Sequence, residues 1–139
     1  MIRGLTLLLL NSQADTIDLL EDWFGAHGAV VHHARSLELC RDLNEAALLT
    51  ELIRPHVILF DLSIPYRQSW ECFQRLTAAG IFGNVPIVLT TTNRRALDEL
   101  VGPTDAFEVI GTSRDLSKLQ ELIEWRLTAR TVPLGDMRH

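Results

Sequence analysis

Runs of apolar, mostly branched residues punctuate the chain at 5–10, 29–33, 56–60, 86–91 and 106–110. Near-continuous apolarity over so few residues predicts strands covered on both faces, as in a parallel sheet. Periodicity alone would also allow a helix at 5–10, but its shortness and the following Asn11-Ser12 favour a strand. Between the runs, apolar positions recur at helical spacing. Ile17, Leu20 and Phe24 share one helix face, with Ser12 or Asp15 as cap and Gly28 as stop. A second helical segment starts at Ser36 or Asp42, breaks near Asn44 and ends before Pro55. The segment 69–79 turns Phe73 and Leu76 inward and stops at Gly80, and 94–101 is a short helix closed by Gly102-Pro103. Asp115 caps the last helix, whose core stripe is Leu116, Leu119, Ile123 and Leu127.

Strands alternating with helices over short links imply right-handed crossovers and a three-layer α/β/α sandwich. The pattern predicts a flavodoxin-like fold with a five-stranded parallel sheet in the order 2-1-3-4-5. One domain is expected over 1–129, followed from 130 by a tail without period that reads as a disordered terminus. No attached DNA-binding output is expected after it.

Composition narrows the function classes. With 139 residues, 47% of them hydrophobic, the chain can bury one proper core. A net charge of -5 argues against nucleic acid as a partner, because phosphate binding needs a basic face. The apolar run at 5–10 is too short to span a bilayer and lacks a cleavage site, so no membrane association and a cytoplasmic location are expected. Cys40 and Cys72 fall on helical patterns and are expected to be buried free thiols.

The sharpest chemical feature is Asp61, which closes the run His56-Val57-Ile58-Leu59-Phe60 and precedes Leu62-Ser63-Ile64-Pro65. An open α/β sheet places its chemistry at the carboxyl ends of its strands. On these residues the chain resembles the receiver domain of two-component response regulators, as a degenerate member. The resemblance implies a phosphoacceptor at Asp61, a supporting hydroxyl at Thr91 and an aromatic switch residue at Phe107. It also implies a phosphorelay, with a histidine kinase or a downstream effector as signalling partner, and a homodimer as a further option.

The departures from that family are physical. The acidic pair that holds its divalent metal is replaced by Asn11 and Ser12, and Ile110-Gly111 stand where its lysine ends the fifth strand. Tyr66 replaces a glycine after the motif proline. At an effective dielectric near 20, each unit charge about 4 Å away is worth roughly 4 kcal/mol before desolvation. Losing the acidic pair therefore weakens Mg²⁺ binding severely, and losing the lysine removes the cation that would hold a phosphoryl group. Two readings of Asp61 follow: a retained phosphoacceptor, or a strand-end carboxylate satisfied by loop N–H groups or a cation. The missing pair favours the second. No cofactor is expected, with Mg²⁺ needed only under the first reading, and no enzymatic activity is expected.

Other residues supply further expectations. Arg94 and Arg95 open the fourth helix near the sheet's carboxyl edge, where either one is a candidate to pair with Asp61 or hold an anion. His32 and His33 are adjacent in a strand, so they point to opposite faces; one is expected to pack and one to be partly exposed. Trp125 and Leu122 form a candidate partner surface on the last helix. Tyr66 and Trp70 flank the Asp61 loop as possible cover. Three function classes result: a phosphorylation-independent interaction module, a working receiver, and a nucleotide or flavin binder on the same fold. The third is weakest, because the loop Asn11-Ser12-Gln13-Ala14-Asp15-Thr16 has no glycine to bring backbone close to a phosphate.

Overall fold

A computed structural model describes residues 1–131 of the chain. Strands β1 (Thr6–Leu10), β2 (Val30–Ala34), β3 (Val57–Asp61), β4 (Ile87–Thr91) and β5 (Phe107–Glu108) form one parallel sheet in the order β2-β1-β3-β4-β5. That is the architecture expected from the apolar pattern. The helices are α1 (Ala14–Ala26), α2 (Ser36–Leu39), α3 (Leu43–Ile53), α4 (Tyr66–Ala78), α5 (Arg94–Val101) and α6 (Ser113–Thr131). The expected tail at 132–139 lies outside the described residues.

The sheet separates two apolar clusters, because neighbouring strand residues face opposite ways. Leu8, Leu10, Ile58 and Phe60 pack with Leu76 of α4 and Leu97 of α5. Leu7, Leu9, Val57 and Leu59 pack with Leu20 and Phe24 of α1 and Leu119 and Ile123 of α6. The fully buried β3 fixes the height at which Asp61 emerges.

Several local expectations are corrected. The second helical segment breaks at Cys40–Asp42 rather than near Asn44, giving two helices. Asp42 starts the second of them, its Oδ1 accepting from the N–H groups of Asn44 and Glu45. Neither Ser12 nor Asp15 caps α1: Gln13 holds the cap position without a side-chain bond, and Asn11 Oδ1 accepts from its N–H. Helix α4 begins at Tyr66, ahead of Ser69, directly after a cis Ile64–Pro65 peptide bond. Strand β2 is an edge strand, so both His32 and His33 are exposed, and His33 Nδ1 lies 3.4 Å from Glu21 Oε1. Strand β5 is shorter than its apolar run, since Ile110 and Gly111 turn off to meet Asp115 Oδ2 through their N–H groups.

Cys40 and Cys72 are not free thiols. They are joined as a disulfide that ties the end of α2 to the middle of α4, with their Cα atoms 5.7 Å apart. Their separation of 32 positions carries no pairing signal in the sequence; the docking of α2 on α4 brings them together.

Candidate functional site

The carboxyl edge of the sheet gathers Asp61 from β3, Asn11 and Ser12 from the loop after β1, and Thr90 and Thr91 from β4. Asp61 is only 2% exposed. Its Oδ1 accepts a 2.9 Å hydrogen bond from Thr90 Oγ1, whereas Oδ2 is buried with no hydrogen-bond partner among the described residues. Burial raises its pKa from the ordinary 3.8 to about 6, and the Thr90 bond only partly counters that.

Thr90 is the hydroxyl on Asp61, and Thr91, expected as the hydroxyl that ends the fourth strand, does end β4. In the β3–β4 register Thr90 lies opposite Asp61, while Thr91 Oγ1 donates to the Leu62 carbonyl at 2.8 Å. Thr91 therefore holds the loop behind the carboxylate. The sequence offered two adjacent threonines, and only the register tells them apart.

Serines close the loops around Asp61. The hydroxyls of Ser12 and Ser63 share a 3.0 Å hydrogen bond that links the loop after β1 to the loop after β3. Ser69 on α4 accepts from the Ser63 N–H at 3.2 Å and donates to the Asp61 carbonyl at 3.4 Å. Ser63 and Ser69 were not singled out in the sequence; a serine inside a helix start carries no signal until the loop folds back on it.

The Mg²⁺ implied by the receiver resemblance finds a poor donor set here. Asp61 supplies one carboxylate, Asn11 Oδ1 already accepts from Gln13 N–H at 2.8 Å, and the Ser12 hydroxyl is engaged by Ser63. Among the described residues no three His, Cys, Asp or Glu side chains gather as a metal site. Mg²⁺ asks for near-octahedral oxygen ligands, usually including carboxylates, and these residues do not fit it.

Arg94 and Arg95 do not reach Asp61. Arg94 Nε lies 3.4 Å from Asp98 Oδ2 and Nη2 donates to the Thr104 carbonyl at 2.6 Å, while Arg95 Nε lies 3.5 Å from Glu99 Oε1. Both guanidiniums run along α5 instead of turning over the sheet edge, because i,i+4 carboxylates are their nearest partners. Glu108 takes the N-terminus of α5, its Oε1 accepting from Arg94 N–H at 2.9 Å. Asp98 also accepts from the Thr104 N–H and hydroxyl, and these bonds lower its pKa.

The expected switch aromatic, Phe107, is half-buried against the α1/α6 cluster; Glu108 is the β5 side chain that reaches α5. Tyr66 is buried and Trp70 half-buried in the α4/α5 cluster, with Trp70 stacked near Phe73 at 5.7 Å between ring centroids. They brace α4 as core residues. Trp125 is 61% exposed, whereas its expected companion Leu122 packs against the core.

No protein-family model matches the sequence, and no curated protein matches it. Solved structures do share its architecture. Chemotaxis protein CheY4 of Vibrio cholerae is similar with a TM-score of 0.59 and 18% identity, over 86% of this chain and 98% of that one. The Francisella response regulator 1452 receiver domain gives 0.62 and 15% over 92% and 100%. The receiver domain of the histidine kinase CKI1 from Arabidopsis thaliana, solved with Mg²⁺ and BeF₃⁻, gives 0.56 and 14% over 89% and 92%. At these identities the likeness is one of fold: the chain has the fold of response-regulator receiver domains.

Proposed function

We propose, with the receiver fold as premise, that this chain is a non-enzymatic signalling module that engages a protein partner without phosphorylation at Asp61. The observation that carries the reading is the closed, uncharged surround of that carboxyl. Asp61 is buried beneath loops tied by the Ser12–Ser63 bond and braced by Ser69. Attack on phosphorus needs an ionised carboxylate at the surface and positive charge around the transferring group. Here Asp61 is buried rather than presented at the surface, Asn11 and Ser12 stand in place of metal-holding acids, and Ile110 stands in place of a cation.

In a phosphorylated receiver a new charge biases a two-state element. In this chain hydrogen bonds already made in the protein hold the corresponding parts. Glu108 and Thr104 tether α5, and Thr91 tethers the Asp61 loop. The surface offered to a partner is thus one set by packing. A signalling protein, whether histidine kinase or downstream effector, is the partner class that goes with this fold.

Beryllofluoride with Mg²⁺ mimics an acyl phosphate and tests the reading directly. Added to the folded protein, it is expected to leave the amide NMR spectrum unchanged. Saturable shifts centred on 61–65 and 90–93, absent in Asp61→Asn, would mean instead that the site works as a phosphoacceptor.

A further inference from the structure

The disulfide between Cys40 and Cys72 joins the end of α2 to α4, and the reading of Asp61 does not use it. Both cysteines are largely buried, Cys40 at 8% and Cys72 at 4% exposure. They nevertheless line the floor of an open cleft of about 470 Å³, whose walls include Arg41, Gln68, Glu71 and Arg75. Clefts of roughly 300–1,000 Å³ are the usual size for small-molecule ligands. Two guanidiniums against one carboxylate give this one a net positive wall.

We propose that Cys40 and Cys72 form a reversible dithiol–disulfide couple, addressed through the Arg41/Arg75 cleft by a small anionic thiol. The thiolate attacks the Cys40 sulfur, at the end of α2, forming a mixed disulfide and releasing Cys72 as thiolate. Cys72 takes a proton from solvent, and its Sγ lies 3.3 Å from the Ser36 carbonyl, so the new thiol has an acceptor in place. A second thiolate attacks the sulfur of the bound thiol and releases Cys40. The balance is one protein disulfide and two small thiols giving two cysteine thiols and one small-molecule disulfide, a two-electron exchange. The arginines favour the incoming thiolate and any carboxylate it carries.

The couple bears on the sheet edge through α4. Cys72 lies one helical turn from Ser69, whose hydroxyl holds both the Ser63 N–H and the Asp61 carbonyl. The oxidised pair pins α2 against that turn. Reduction unpins α2 and leaves α4 held by its apolar face and by the Ser69 and Arg67 hydrogen bonds.

The test uses the full chain equilibrated with oxidised glutathione, then exposed without denaturant to reduced glutathione or to uncharged mercaptoethanol. Thiols are trapped by alkylation and counted by intact mass. The expected result is no adduct before reduction and two after. Replacing both arginines, Arg41→Ala with Arg75→Ala, should slow glutathione about tenfold, the low end of what focused charge gives, and slow mercaptoethanol, whose thiolate carries no further carboxylate, by clearly less. Should that variant not fold, raising salt on the unaltered protein should collapse the ratio of the two rates in the same way. Two adducts before reduction, reduction only in denaturant, or a rate ratio indifferent to both arginines and salt would overturn the proposal.

Discussion

The Asp61 side chain gives up water on both oxygens and recovers one hydrogen bond, from Thr90 Oγ1. Its folded-state pKa of about 6 lies above the ordinary 3.8, so the folded protein holds this proton more tightly than the unfolded chain. Below the ordinary value both states are protonated and burial costs nothing through ionisation. As pH rises towards the folded pKa, the unfolded chain ionises first and stability is lost, with the full penalty present above about 6. Roughly two units at 1.36 kcal/mol each set that penalty at about 3 kcal/mol. Asp61→Asn keeps an acceptor for Thr90 and removes the charge. It is expected to raise stability by about 1–3 kcal/mol at pH 8 and by almost nothing at pH 3, read from urea unfolding at both values. Equal shifts at the two pH values would show that ionisation is not what burial opposes. The identity of Asp61 and its neutral neighbours Asn11 and Ser12 was legible in the sequence, because both follow from position at strand ends. Thr90 was not, since register decides which of two threonines faces the carboxylate. Nor were the arginines' true partners, since Asp98 and Glu99 compete for them within one helix.

Secondary-structure elements follow local chemistry where it is strong. Asp42 accepts from two of the orphan N–H groups that open α3, which is why the chain starts a new helix there after the turn at Cys40. Asp42→Ala is expected to cost about 1 kcal/mol of stability, measurable as a lower urea midpoint, whereas Asp15→Ala, in the first turn of α1 but outside the cap, should cost less. Equal costs would place the cap's contribution elsewhere. Apolar periodicity predicted all five strands and the helices between them. It placed β2 correctly at the sheet edge but misjudged its burial, since Val30, His32 and His33 are exposed rather than covered on both faces. It misjudged β5, where Asp115 draws the backbone of Ile110 and Gly111 out of the ladder. The Cys40–Cys72 tie lay beyond any local signal, because it depends on α2 packing on α4.

At the scale of the whole molecule, strand alternation creates two separate cores, and the sheet between them carries Asp61 to its carboxyl edge. The fold, and the place of Asp61 at the carboxyl edge, were therefore readable from the apolar runs; the packing around Asp61 was not, because it depends on loops meeting from different units. Ser12 meets Ser63, Ser69 meets Asp61, and Thr91 meets Leu62. These bonds tie the loops of the edge to one another. Among the described residues no helix is long and apolar enough to cross a membrane. The proposed function has this fold signal without a phosphoryl group on Asp61. The most direct measurement is intact mass after incubating folded protein with Mg²⁺ and acetyl phosphate, beside an Asp61→Asn control. Unmodified mass is expected in both. A single phosphoryl adduct on the unaltered chain, missing from the control, would contradict it and make Asp61 a working phosphoacceptor.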